Sequence, residues 1–148
     1  MLQLTLPATP QLNGVAERRN QTLLDMVRYM LSYTDLPISL WGYALLTPDH
    51  VLNRCSSKSI PKTPHDMWNN RKPSLNHIKI WGCPAYVKKT KVEKLEARSL
   101  MGRFIGFPED SMGFFFYLHD DQRIIVALQA HFIGDEFIFE GAKVGKLF

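Results

Sequence analysis

Glu17 is the carboxylate whose neighbours give it a chemistry to consider. Asn13, Glu17, Asn20 and Gln21 recur at three- and four-residue spacing and so share one face of a helix, with Arg18 and Arg19 beside them. An acid in the first turn of a helix commonly does no more than complement the positive end of the helix dipole. One carboxylate, several amides and two cations next to a loop also suit a metal-bound phosphate backbone. Spacing alone leaves both readings open.

Other chemistries find less support. Cys55 and Cys83 stand 28 positions apart and neither belongs to a CxxC pair. His50, His65, His77, His119 and His131 form no zinc-ligand spacing, so they read as ordinary surface or core residues. The run Gly102 to Gly106 lacks the lysine and the helix of a phosphate-binding loop. Cys83 has no base placed near it in sequence and reads as structural.

The elements that must position Glu17 follow from periodicity. Asn13 is placed to cap a helix running to about Ser32, with Ala16, Leu23, Val27 and Met30 on its apolar stripe. Leu36-Pro37 breaks the chain. A second helix is expected over about Ile38 to Asn53, burying Trp41, Leu45 and Val51-Leu52, with a kink or split at Pro48 because an interior proline removes a donor and clashes with the preceding turn. Thr63-Pro64-His65-Asp66 opens a short third helix, with threonine as cap, proline in the first turn and Trp68 as anchor. Strands are expected at Ile78–Trp81 and Ala85–Lys88. After a charged connector, Lys88 to Arg98, the period is two: Gly102–Phe107, Phe114–Leu118, Arg123–Leu128 and His131–Ile133. That pattern fits a small antiparallel barrel or meander. The aromatic run Phe114-Phe115-Phe116-Tyr117 alternates across its sheet, with one face packing in the core and a base-stacking platform as the alternative.

Composition sets the outer limits. With 148 residues, 45% hydrophobic and 22% charged, the chain is neither wholly disordered, nor collagen-like, nor a coiled coil. No stretch reaches the roughly 18 apolar residues of a membrane span. Met1 to Pro7 lacks the basic and apolar regions of a signal peptide, so cytoplasm or nucleus is the expected location. The net charge of +4 is uneven: residues 1–34 hold 3 basic and 2 acidic side chains, residues 35–99 hold 11 and 5, and residues 100–148 hold 4 and 7. A basic middle points to nucleic acid as a partner, or to a solvated linker.

The sequence Thr9-Pro10-Gln11-Leu12-Asn13-Gly14-Val15-Ala16-Glu17-Arg18-Arg19-Asn20-Gln21-Thr22-Leu23-Leu24 closely resembles the last catalytic motif of copia-type retrotransposon integrases. The likeness continues through Asp35 to Trp41, Leu52-Asn53-Arg54, Lys62-Thr63-Pro64, Arg71 to Ser74, Trp81-Gly82-Cys83-Pro84-Ala85-Tyr86-Val87 and Phe104-Ile105-Gly106-Phe107. Several separate motifs in order make it specific over nearly the whole chain. The chain departs from the family pattern at Pro48, at Leu118-His119 and at Ala127-Leu128.

The resemblance implies an α+β fold: a truncated RNase H-like integrase core reduced to helices, followed by a small antiparallel SH3-like β-barrel. The implied units are 1–87 for the C-terminal helical part of the core with short strands, 88–100 for a basic linker, 101–140 for the SH3-like domain and 141–148 for a tail. It also implies that Glu17 is the third member of an Asp-Asp-Glu triad that holds Mg2+ or Mn2+ in an intact parent. No Asp or Glu precedes Glu17, and Asp25 lies eight residues along the helix, about 12 Å away. The expectation is therefore a remnant without strand-transfer activity or cofactor of its own. Residual non-specific DNA binding is expected through Arg18, Arg19, Asn20, Lys88, Lys89, Lys91 and Lys94. Two alternatives accompany it: an incomplete gene model of an intact integrase, and an interaction fragment that self-associates through an exposed stripe of Leu23, Val27, Met30 and Leu31.

Overall fold

The computed structural model describes residues 9–56, 60–89, 93–109, 111–133, 138–139 and 142–143. A turn of 3-10 helix, Pro10–Asn13, runs straight into α1, Gly14–Ser32. Asn13 sits at the junction with helical dihedral angles, so its side chain makes no capping bond and the expected cap is absent. A second 3-10 turn, Ile38–Leu40, leads into α2, Trp41–Leu52. The expected split at Pro48 does not occur. The helix runs through it, with Pro48 and Ala44 both buried, and the Thr47 hydroxyl donates to the Tyr43 carbonyl at 3.2 Å. Packing outweighs the missing backbone bond.

The short helix α3, Pro64–Asn69, forms as its sequence predicts, with the Thr63 hydroxyl accepting from the Asp66 N–H at 3.1 Å. Trp68 does not anchor it: the indole is 88% exposed, and Trp41 is exposed as well. Among the described residues no helix is long and apolar enough to cross a membrane.

Five antiparallel strands follow: β1 Pro84–Lys88, β2 Ser99–Gly106, β3 Phe114–Leu118, β4 Arg123–Ala127 and β5 Ala130–Phe132. Their order, β4-β3-β2-β1-β5, makes an open sheet and not the closed barrel expected, because β4 and β5 form its two edges. A separate pair, β6 Ile138–Phe139 and β7 Ala142–Lys143, follows. Ile78–Trp81, expected as a strand, is loop and turn. β1, expected to lie with the helical segment, is interior to the sheet. Its alternation buries Ala85 and Val87 with Phe104 and Phe116. Residues 89–98, expected as part of a linker between units, thus join two neighbouring strands.

Two cores result. Cys83, Ala85, Val87, Phe104 and Phe116 fill the inner side of the sheet. On the other side Val27, Leu36, Leu40 and Ala44 of the helical segment meet Trp81, Ile105 and Tyr117. Trp81 is 3% exposed and its Nε1–H donates to the Ile105 carbonyl at 2.9 Å. That carbonyl is available because the β2–β3 register slips between Phe104 and Gly106, leaving Ile105 as a bulge. The α1 stripe is consequently not exposed as expected: Val27 is buried, and Met30 and Leu31 pack against the same core.

Gly82 follows Trp81 with φ at +82°, and a Cβ there would meet the Thr34 methyl group. Backbone strain of about 1–3 kcal/mol and crowding of a similar size predict that Gly82→Ala lowers unfolding free energy by about 2–6 kcal/mol, read from urea denaturation.

His50 at the end of α2 and His77 in the loop before β1 bring their Nε2 atoms to 3.0 Å, and Phe107 stacks on the His50 ring with centroids 4.2 Å apart. Sequence spacing gave no hint of this pair. Burial, reinforced by Arg54 and then His77, pushes His50 down to about 4, while burial and Arg54 also lower His77. An unfolded histidine takes up its proton near pH 6.5. The unfolded chain therefore binds more protons between about pH 6.5 and 4, and stability falls as pH drops through that window. Thermal melts at pH 7.5 and 5 should show a lower Tm at the acidic pH, with a smaller difference in His50→Gln.

Candidate nucleic-acid interface

Glu17 lies in the first turn of α1 and is exposed, as are Arg18, Asn20 and Gln21 on the same helix. Among the described residues no three His, Cys, Asp or Glu side chains gather where they could hold a metal ion. The described donor set around Glu17 therefore does not fit the two-metal arrangement that the resemblance implies for an intact parent. What Glu17 does locally is place an acid at the positive end of α1.

Arg19 has a different place from its neighbour. Its Nη2 donates to Asp49 Oδ1 at 3.1 Å and to Asn53 Oδ1 at 3.0 Å, and Asn53 Nδ2 donates to Asp49 Oδ2 at 3.2 Å. This closed triangle ties α1 to the last turns of α2. The two bonds use the Nη2 donors of the guanidinium and hold the side chain against α2. Arg18 makes no ion pair among the described residues, and its carbonyl accepts from Thr22 Oγ1 at 2.9 Å.

The second basic group stands at the end of β1. Lys88 is exposed there, and Lys94 is exposed in the connection to β2. Lys89 is half-buried, with its Nζ 3.9 Å from Glu96 and its N–H bonded to the Arg98 carbonyl at 2.9 Å. Lys91 lies outside the described residues. Lys88 and Lys89 border an open groove whose far side carries Arg123 and Leu128, with Leu100 also lining it. Arg123 is paired with Asp121 at 3.1 Å. No hydrogen bond or ion pair among the described residues joins the α1 group to the β1 group.

The aromatic run splits as alternation requires. Phe116 is buried on the inner side of the sheet, and Tyr117 is buried on the helix side. Neither offers a ring to solvent. The aromatic ring that the sheet does present is Tyr86, 44% exposed on the interior strand β1. Sequence reasoning passed over it, although the alternation Ala85-Tyr86-Val87-Lys88 already puts Tyr86 and Lys88 on one face and the two small apolar residues on the other.

Residues 83–144 match the family model described as the retroviral polymerase SH3-like domain. The match opens one residue before β1, so this unit takes in the whole five-stranded sheet. The chain is related to the integrase region of copia-type Pol polyproteins. It is 41% identical over 115 residues to the retrovirus-related Pol polyprotein from transposon TNT 1-94 of Nicotiana tabacum, covering 74% of this chain and 8% of that polyprotein. It is 27% and 24% identical over 104 residues to the corresponding polyproteins from transposons RE2 and RE1 of Arabidopsis thaliana, covering 68% of this chain and 7% of each. The chain thus spans less than a tenth of these curated relatives. No solved structure matches it.

The geometry separates two arginines that sequence reading had grouped. Arg19→Ala should lower unfolding free energy by about 0.5–1 kcal/mol, as expected for a half-exposed ion pair, and should change duplex affinity less than Arg18→Ala does. Urea denaturation and fluorescence anisotropy on the two variants provide the comparison.

Proposed function

We propose that this chain is the stretch of a copia-type integrase from the third triad glutamate, Glu17, through the SH3-like domain, and that on its own it holds nucleic acid without joining strands. The helical segment corresponds, in this reading, to the C-terminal part of an RNase H-like core. Glu17 would serve as a metal ligand only alongside two aspartates contributed from elsewhere in an intact integrase. Mg2+ or Mn2+ bound there would steady the attacking and leaving oxygens of strand transfer.

The observation that carries the binding half of the reading is the exposed cationic set, Arg18, Lys88 and Lys94, on a chain whose SH3-like sheet matches a polymerase-associated family. Ammonium and guanidinium groups on mobile stems meet phosphates, not base edges, so affinity should depend on salt and ignore sequence. Cytoplasm or nucleus is the compartment in which such a chain would meet nucleic acid.

Gel shifts on unrelated duplexes at stepped salt concentrations test this. Affinities should agree between sequences, and log affinity should fall with log salt by about 0.9 per phosphate contacted. Joining assays with Mg2+ or Mn2+ should give no product. Salt-independent binding would reject the phosphate reading. Strand transfer that vanishes in Glu17→Gln would reject the inactive one.

A further inference from the structure

We propose that the outer face of β1, β2 and β5 is a stacking platform for unpaired bases, with Tyr86 as its centre, so that the nucleic acid this chain prefers is single-stranded. The proposal rests on the nucleic-acid reading above and names its substrate class.

Tyr86 lies directly opposite Met101 of β2 and directly opposite His131 of β5. Directly opposed residues share a face, so the three side chains form one row across three strands. At about 4.8 Å between strands, the row spans about 10 Å, the scale of a base. All three are exposed, Tyr86 by 44% and Met101 by 50%. Tyr86 and Met101 stand on interior strands and His131 on the edge strand β5, while β1 buries Ala85 and Val87 completely or nearly so on the opposite face. The helical segment covers Ile105 and Tyr117 further along the sheet, and among the described residues the Tyr86 ring makes no ring contact with another side chain.

Charge selects the occupant. Strands β1, β2 and β5 contain no acidic residue. Lys88 stands two residues along β1 on the Tyr86 face, about 7 Å away, and is exposed. One nucleotide can therefore lay its base on the phenol ring while its phosphate meets the ammonium group. A duplex hides its base faces, whereas a single strand offers them at every position, whatever the sequence.

Fluorescence anisotropy of the full chain with a labelled oligo-dT strand and with a labelled duplex tests the proposal. Tyr86→Ala should weaken oligo-dT binding about fivefold or more, Tyr86→Phe should restore it, and duplex affinity should stay unchanged in both. Lys88→Ala should weaken both probes and reduce the salt slope by about one contact. Circular dichroism melts matching the parent protein establish that Tyr86→Ala remains folded. Oligo-dT binding unaltered in a folded Tyr86→Ala overturns the platform. So does duplex binding with no oligo-dT binding, which leaves the phosphate reading standing. Failure to bind either probe rejects that reading as well.

Discussion

A hydrogen bond between an indole and a bulged carbonyl sits at the junction of the two halves of this molecule. Trp81 sits where the chain leaves its helical segment and is about to enter the sheet, and its Nε1–H must find a partner once the ring is buried. The Ile105 carbonyl is released from the strand ladder by the register slip and receives it. The same carbonyl lies 3.5 Å from the Thr47 hydroxyl of α2. Helix, connecting loop and sheet therefore converge on a single backbone oxygen. Gly82 continues this arrangement: its positive φ turns the chain into β1, its N–H donates to the Phe104 carbonyl at 2.7 Å, and its own carbonyl accepts from Arg103.

Local signals with short reach were legible in the sequence. The span of α1, the Thr63 cap and strands β3 and β4 follow from periodicity and capping chemistry within a few residues. Features decided by distant partners were not. The alternation of β1 does not say which sheet it completes, and its pairing with β2 and β5 is decided by residues far along the chain. Trp68 is expected inside from its residue type, yet α3 leaves it on its exposed side. A kink or split is expected at Pro48 because the proline rule is local; the split does not occur, since Ala44, Thr47 and Pro48 are buried against the rest of the chain.

The candidate interface was legible in composition and much less so in assignment. A basic middle segment does give exposed lysines at the end of β1. Adjacent arginines on a helix point in directions about 100° apart, and that rotation separates Arg18, open to solvent, from Arg19, engaged with Asp49 and Asn53. Histidines that looked unrelated in sequence meet as a pair, because α2 and the loop before β1 pack side by side. Phe116 and Tyr117 of the aromatic run are core, and among the described residues of the five-stranded sheet the tyrosine presented to solvent is Tyr86.

The strand order has a bearing on how the chain assembles. β5 lies beside β1, joining Ala85 to Phe132 and Val87 to Ala130, while β2, β3 and β4 are added outward on the other side of β1. The neighbour that completes β1 is therefore the last of the five to be synthesised. Contacts between such distant positions form slowly, since the loop entropy is spent before any bonding is gained. During synthesis, the edge of β1 that receives β5 waits, open, until residue 132 has cleared the ribosome.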